Sequence, residues 1–248
     1  LRANASPNNP IHDFARSASR QPELRNIGFE TITSEALFNV ELQQEGGSWD
    51  WYGLRAVDEA YADAVGYEFA VMAEGYESAG DIWQMISERP GYAVIDSFAV
   101  PSRQNTSIVI GGPEFKLEGP YLEDESMQPI RLRVRDARGM TFEVTVIGVL
   151  EQTAGFNFAL ITSQSTLAKV FADPPIPTRY YIDLAEGVDP KIAGAALESA
   201  FLDYGLETVD QVQEIEDAQA AQRAIEQLLL GFLTLGLIVG VAALGVIS

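Results

Sequence analysis

The last 21 residues of the chain, 228–248, form an almost entirely apolar stretch: LLLGFLTLGLIVGVAALGVIS. From 228 to 247 no residue is charged, and only Thr234 is clearly polar. An α-helix rises about 1.5 Å per residue, so this run would reach about 30 Å, the thickness of the hydrocarbon core of a bilayer. A core helix of this length would normally keep one polar stripe. The pattern therefore predicts a transmembrane helix over residues 228–248.

The residues just before this run also have a helical period. Four apolar positions lie on one face of the predicted helix: Val212, Ile215, Ala218 and Ile225. Thr208 and Gln211 have the spacing of a capping box, and neither Gly nor Pro interrupts residues 210–227. We expect a stalk helix over 210–227 that continues into the transmembrane helix as one rigid rod.

Two glycines inside the apolar run, Gly236 and Gly240, are separated by three residues. Small residues at this spacing allow close approach of two helices in a membrane. We therefore expect Gly236 and Gly240 to pack against another transmembrane helix.

Helix and strand patterns recur near both ends of the remaining chain. Residues 1–10 are polar and indicate a connector, residues 11–20 have helical spacing, and alternating runs predict two strands on either side of Ser34 and Glu35. Near the other end, a strand, a helix and a strand are predicted over residues 178–184, 190–204 and 206–209. We expect these two ends to share one sheet, with the middle of the chain as an insertion.

The middle of the chain is rich in alternating, β-branched segments. Four strands are predicted over residues 107–110, 114–119, 129–136 and 140–150. The last two are joined by the turn sequence Asp136-Ala137-Arg138-Gly139, which favours a hairpin. Short helices are expected after Asp58, around Ile82 and after Ser163. The whole pattern indicates the α+β class.

The net charge of the chain limits the classes of partner that it can bind. It has 16 Lys and Arg against 36 Asp and Glu, a formal net charge of −20. Such a surface repels phosphate backbones, so nucleic acid is excluded as a partner. The chain has no cysteine, which excludes disulfides and thiolate metal sites.

No catalytic constellation is present in the sequence. His12 is the only histidine, and no nucleophile elbow, P-loop or dinucleotide fingerprint occurs. Glu123-Asp124-Glu125 could hold calcium but lacks the ligand spacing of an EF-hand, so we interpret it as a solvated loop. We expect no enzymatic activity, no metal and no cofactor.

Two aromatic residues, Trp49 and Trp51, alternate on a predicted strand. They are consistent with a recognition patch or with a core position for one of them.

Three segments together resemble one protein family. FEVTVIGVLEQTAGFNFALITSQSTL is similar to a stretch of the extracytoplasmic core domain in MacB-like and FtsX-like ABC transporter permeases. GFLTLGLIVGVAALGVIS resembles the start of the transmembrane helix that follows this domain. YGLRAVDEAYADAVGYEF resembles a recurrent strand, turn and helix of the family, with Ala56 in place of the usual glycine.

This resemblance implies an architecture. Residues 1–209 would be the extracytoplasmic domain, in which 1–45 and 178–209 form a porter-like α/β lobe and 46–177 form an inserted β-rich lobe. A stalk helix over 210–227 and a transmembrane helix over 228–248 would follow, with further membrane segments before Leu1 and after Ser248.

The resemblance also implies a function. The domain would transmit helix motion, driven by a cytoplasmic ATP-binding subunit or domain, to a substrate or partner outside the membrane. The partners implied are that ATPase, a second permease copy, and membrane lipid around the C-terminal helix. The location implied is the cell membrane, with most of the chain on the extracytoplasmic side. The alternative is a membrane-anchored extracytoplasmic binding or signalling module unrelated to transport.

Overall fold

The computed structural model describes residues 1–65, 67–104, 114–152, 158–217, 219–221, 223, 225–230 and 232. Within them the strands are β1 (Arg2–Asn4), β2 (Phe29–Gln44), β3 (Asp50–Val57), β4 (Phe69–Met72), β5 (Tyr92–Asp96), β6 (Ile130–Asp136), β7 (Thr141–Leu150), β8 (Leu160–Ser163), β9 (Arg179–Leu184) and β10 (Glu207–Val209). The helices are α1 (Phe14–Ala18), α2 (Tyr61–Val65), α3 (Ala79–Glu88), α4 (Gln164–Val170) and α5 (Pro190–Ala200). Short 3₁₀ turns lie at Pro22–Leu24, Ser97–Ala99 and Leu202–Tyr204. A C-terminal helix follows β10 and includes all described positions from 211 to 232.

All of these strands belong to one mixed sheet, in the order β10-β1-β9-β2-β3-β8-β5-β7-β4. Strand β6 pairs with both β2 and β7, so β2, β3, β8, β5, β7 and β6 close into a ring. The sheet is antiparallel except where β3 pairs with β8 and β5 pairs with β7. The predicted α+β class is confirmed, and β1, β9 and β10 place the two chain ends side by side.

Two hydrophobic clusters support this sheet. The larger one follows the ring and includes Tyr52, Leu54 and Ile147, all fully buried. The smaller one lies where β1 and β9 meet α1 and α5. In it Phe14 stacks on Tyr180, with ring centroids 4.2 Å apart.

The prediction of two strands on either side of Ser34 and Glu35 is wrong, because β2 is one strand of 16 residues. The backbone N–H of Ser34 donates to Asp58 Oδ2 at 2.6 Å, and the carboxylate of Glu35 binds two arginines. These contacts satisfy both polar residues inside the strand, so no break is needed.

Two further predictions are corrected by packing. Residues 1–10 are not only a connector, because Arg2–Asn4 forms β1 between β9 and β10, with Ala3 fully buried. The strand predicted over 114–119 is absent, although Phe115 and Leu117 alternate with exposed neighbours and are buried. The backbone N–H of Leu117 bonds to the carbonyl of Ala99, so this segment packs on the ring without joining the sheet.

The hairpin predicted at Asp136–Gly139 is confirmed. Strands β6 and β7 pair antiparallel across it, and Gly139 adopts a φ of 82°, which favours glycine.

No helix among the described residues is both long and apolar enough to cross a membrane. The predicted transmembrane helix over 228–248 lies largely outside those residues, which include only 228–230 and 232 of it.

Candidate functional site: a buried ion cluster and the base of the C-terminal helix

A buried carboxylate lies where the two parts of the sheet meet. Glu35 is fully buried on β2, and its backbone is opposite Arg179 on β9 and Val57 on β3. Arg179 Nη1 donates to Glu35 Oε1 at 2.7 Å, and Arg55 Nη1 is 3.7 Å from Oε2. The Tyr61 hydroxyl donates to Oε2 at 3.4 Å. One carboxylate therefore connects β2, β3, β9 and α2.

The charges in this cluster influence one another. Burial by itself lowers the pKa of Arg55, but the carboxylate of Glu35 together with the hydroxyls of Tyr61, Tyr67 and Tyr181 more than offsets it, so the pKa of Arg55 is raised. Burial, followed by the charge of Glu35, raises the pKa of Tyr181 to about 12. Arg55 therefore stays charged, and Tyr61 and Tyr181 stay neutral, near neutral pH, which suits a structural ion pair.

A second buried carboxylate holds the ring together. Asp96, at the end of β5, accepts hydrogen bonds from the Tyr52 hydroxyl and from the backbone N–H groups of Phe98 and Ala159, the latter two at 2.8 Å. Burial raises the pKa of Asp96, although these donors act in the opposite direction. Because its oxygens are occupied by strand and loop donors, this carboxylate positions the chain between β5 and β8.

The C-terminal helix begins directly after the sheet. β10 ends at Val209, and Asp210 Oδ1 accepts from the backbone N–H groups of Val212 and Gln213 at 3.1 and 3.3 Å. The predicted cap at Thr208 is wrong, because both the backbone N–H and the hydroxyl of Thr208 donate to Glu198 on α5 at 2.8 Å. Asp210 is thus the cap, and no linker separates sheet from helix.

The base of this helix is attached to the domain by one ion pair and by strand β10, from which it continues. Arg2 Nη2 on β1 is 3.2 Å from Glu214 Oε2 in the first turns of the helix. On the other side α5 packs so closely on β10 that a Cβ added to Gly194 would be 2.6 Å from Thr208 Oγ1. A displacement of the helix base would therefore be transmitted to β1 through the ion pair and to α5 through β10.

The residues predicted to form the stalk face are exposed to solvent in this chain. Val212, Ile215 and Ile225 keep 67, 52 and 52% of their surface accessible. Ala218, Gly236 and Gly240 lie outside the described residues, so the predicted stalk face and membrane packing remain predictions.

The acidic groups considered as metal ligands have other partners. Glu123 binds the Ser102 hydroxyl and the backbone of Arg103, and Asp124 forms an ion pair with Arg103 at 2.7 Å. Within the part of the chain that the structure describes, no group of three or more His, Asp and Glu side chains could hold a metal ion. His12 is exposed just before α1.

The two tryptophans on and before β3 have different surroundings. Trp51 is 53% exposed. Trp49 lies under two guanidinium groups, with Arg135 4.3 Å and Arg133 5.3 Å from its ring centroid. Neither tryptophan is in the core.

Sequence reasoning missed the Glu35 cluster. Its signal was present as charged residues inside apolar strands, Glu35 in β2 and Arg55 in β3. Charged residues are rarely fully buried unless paired, so two opposite charges at inward positions of neighbouring strands indicate an ion pair.

Comparison with known proteins identifies the fold. No family model matches the sequence, and no curated protein matches it. The periplasmic region of MacB from Actinobacillus actinomycetemcomitans matches the structure with a TM-score of 0.50 and 14% identity, over 88% of this chain and 91% of that one. The extracellular domain of the ABC-type transporter YknZ from Gram-positive bacteria matches with a TM-score of 0.49 and 9% identity, over 85% of this chain and 99% of that one. The chain therefore has the fold of the periplasmic region of MacB.

Proposed function

We propose that this chain is the extracytoplasmic domain of an ABC transporter permease of the MacB or FtsX type. The observation that carries the proposal is the match to the MacB periplasmic region over 88% of the chain. In addition, the acidic domain is followed directly by a helix. In this role the domain transmits ATP-driven helix motion to a substrate or partner outside the membrane, and we assign it no catalytic step.

The hydrogen bonds of the sheet support such transmission. From Asp210 the chain runs back into β10, which pairs with β1, and β1 pairs with β9. β9 pairs with β2, and β2 belongs to the closed ring. Since no flexible linker interrupts this path, a displacement of the helix reaches the ring through backbone hydrogen bonds and the Glu35 cluster.

We further propose the lobe boundaries suggested by the sequence, with 1–45 and 178–209 as the porter-like lobe and 46–177 as the inserted lobe. The smaller hydrophobic cluster supports this division, because all its residues lie within 1–45 and 178–209. The larger cluster crosses the boundary, because it also includes Ala36, Val40, Leu42 and Tyr181. The stalk over 210–227 and the membrane helix over 228–248 complete the arrangement, with most of the chain on the extracytoplasmic side.

The partners we propose are a cytoplasmic ATP-binding subunit or domain, a second permease copy and lipid around the C-terminal helix. Nucleic acid is excluded by the net charge of −20.

The proposal is tested by isolating the full-length gene product, with an affinity tag, from membranes of the source cells. We expect an ATP-binding protein to co-purify, or to form part of the same polypeptide, and the preparation to hydrolyse ATP. An unrelated tagged membrane protein from the same cells is the control. Recovery without any ATP-binding component would instead favour a membrane-anchored binding or signalling module.

A further inference from the structure

One side of the sheet carries a row of arginines next to two tryptophans. We call the surface formed by five of its side chains the Trp–Arg face: Trp49, Trp51, Arg131, Arg133 and Arg135. Alternate residues of a strand point to the same side of a sheet, and so do residues directly opposite each other on antiparallel neighbours. Glu41 on β2 is opposite both Arg135 on β6 and Trp51 on β3, so these three strands present the face together.

The Trp–Arg face concentrates positive charge on an acidic chain. Arg131 and Arg133 are exposed, and neither forms a salt bridge with any residue that the structure describes. Next to the arginines on this side, Glu41 forms an ion pair with Arg135 at 2.6 Å. Glu143 on β7 is exposed opposite Arg133 without forming a salt bridge to a described residue. The arginines outnumber these carboxylates, although the chain as a whole has a net charge of −20.

Two of the arginines are ordered by contacts within the chain. Arg133 Nη1 donates to Gln43 Oε1 at 3.0 Å, and Arg135 Nε donates to Glu41 Oε2 at 2.6 Å. The ring of Trp49 supports both guanidinium groups, whose carbons lie 5.3 and 4.3 Å from its centroid. Each of these hydrogen bonds uses one of the five N–H donors of a guanidinium. Binding through these side chains therefore loses little conformational entropy.

The spacing of the row indicates what it can bind. Arg131 and Arg133 are two residues apart on a strand, a distance of about 6.6–6.8 Å. Carboxylates at alternate positions of an extended peptide have the same spacing, and a guanidinium pairs with a carboxylate through two parallel hydrogen bonds. Trp51, which is 53% exposed, adds an apolar surface beside the row. A phosphate polymer would bring many more charges and be repelled by the acidic remainder of the chain.

We propose that the Trp–Arg face binds an extended segment of a partner protein that has acidic residues at alternate positions and an apolar residue next to them. The carboxylates pair with Arg131 and Arg133, and the apolar side chain contacts Trp51. The proposal concerns this face alone and does not depend on a role in transport.

The binding test uses the full chain in detergent with Trp83→Phe, so that both remaining tryptophans belong to the face and report on its occupancy by fluorescence. The probes are acetyl-Leu-Glu-Ser-Glu-Leu-amide, the same peptide with glutamine in place of glutamate, and inorganic polyphosphate. At about 0.15 M salt, charges more than about 8 Å away are largely screened. We expect the glutamine peptide to bind at least about tenfold more weakly, since charge-assisted hydrogen bonds are lost.

Two results of this test contradict the proposal. Equal binding of the two peptides, or binding of neither, overturns it. Polyphosphate that binds as tightly as the glutamate peptide, or more tightly, overturns the assignment of a peptide and favours a phosphate polymer.

Variants locate the site. In the same background, Arg131→Gln with Arg133→Gln should raise the Kd of the glutamate peptide at least about tenfold. Arg20→Gln with Arg25→Gln removes the same charge from exposed residues after α1 and should leave that Kd within about twofold. Equal effects of the two pairs would mean that only the net charge matters and overturn the proposal. Circular dichroism checks that both double variants are folded.

Lysine at the same positions separates geometry from charge. Arg131→Lys with Arg133→Lys keeps both charges and removes the planar fork, so we expect the glutamate peptide to lose about threefold or more in affinity. An unchanged Kd would overturn the paired hydrogen bonds.

The contact with Trp51 is tested by calorimetry, with Trp51→Ala as the variant. We expect the affinity of the leucine-containing peptide to fall about threefold, whereas acetyl-Gly-Glu-Ser-Glu-Gly-amide is unaffected. Equal losses for the two peptides overturn the apolar contact. None of these measurements involves ATP or transport, so their failure would leave the proposed function untouched.

Discussion

At the scale of single residues, Glu35 is a buried carboxylate that forms ion pairs with two arginines. It is fully buried, and two guanidinium groups, of Arg55 and Arg179, depend on its charge. Removing one partner of a buried ion pair leaves the others uncompensated in a medium of low polarity. The stability of the junction between β2, β3 and β9 therefore depends on this one carboxylate.

We predict that Glu35→Gln, which keeps the shape and removes the charge, lowers the free energy of unfolding by about 3 kcal/mol or more. Urea denaturation followed by circular dichroism measures it. The control is Glu41→Gln, which breaks the exposed pair with Arg135 and should change stability little. A small effect at both positions would show that the buried pair does not stabilise the junction.

Tyr181 beside this cluster predicts a dependence on alkaline pH. Its pKa in the fold is raised to about 12, so folding favours the neutral phenol, and this stability is present below about pH 10 and lost as the pH rises towards 12. Between pH 10 and pH 11 the wild type should lose roughly 1 kcal/mol that Tyr181→Phe does not lose. Urea denaturation of both proteins at pH 8, 10 and 11 measures the difference, and parallel curves would contradict the assignment.

At the scale of elements, close backbone approach explains why one strand position is glycine. A Cβ added to Gly53 would be 2.3 Å from the carbonyl oxygen of Phe158, just ahead of the β3–β8 pairing. Gly80 in α3 has no such neighbour, since its added Cβ would be 3.6 Å from Ser78 Oγ. Of these two glycines, only Gly53 is required by close packing.

We predict opposite effects of alanine at these two positions. Gly53→Ala should lower the free energy of unfolding by about 1–3 kcal/mol, because the backbone of Phe158 must move. Gly80→Ala should raise it by up to about 0.5–1 kcal/mol, because alanine favours the helix. Denaturant midpoints for both variants measure this, and a stabilised Gly53→Ala protein would show that the contact with Phe158 is not rigid.

At the scale of the whole molecule, the continuity from sheet to helix is the feature on which the proposed function depends. β10 ends at Val209, Asp210 caps the helix, and Arg2 holds Glu214. A stiff connection of this kind passes on displacement, whereas a flexible one dissipates it.

On the proposed function, we predict that Ala221→Pro uncouples transport from ATP hydrolysis in the full transporter. Proline removes a backbone donor and kinks a helix at a cost of about 3 kcal/mol or more, while Ala221 is exposed and outside both hydrophobic clusters. A Gly-Ser insertion at the same place should act likewise, and Ala221→Leu is the control that keeps the helix. Transport at the normal rate in both altered proteins, measured alongside ATP hydrolysis, would disprove the rigid connection between the domain and the membrane.

Local pattern alone determined much of this protein. The acidic charge and the apolar run at the C-terminus are properties of the composition itself. Spacing and turn residues, which interact within a few positions of one another, predict most helices, the β6–β7 hairpin and the α+β class. Asp189 before Pro190, for example, marks the start of α5 in the sequence and caps it in the structure.

Tertiary structure decided the features that depend on distant partners. Arg2–Asn4 is a strand because β9 and β10 flank it, and Ser34 and Glu35 continue β2 because Asp58, Arg55 and Arg179 satisfy them. Thr208 does not cap the C-terminal helix, because it lies in β10, where its backbone N–H and hydroxyl donate to Glu198. The ring and the Glu35 cluster both join residues far apart in sequence. No local period encodes such contacts, because their energy exists only once the chain has folded.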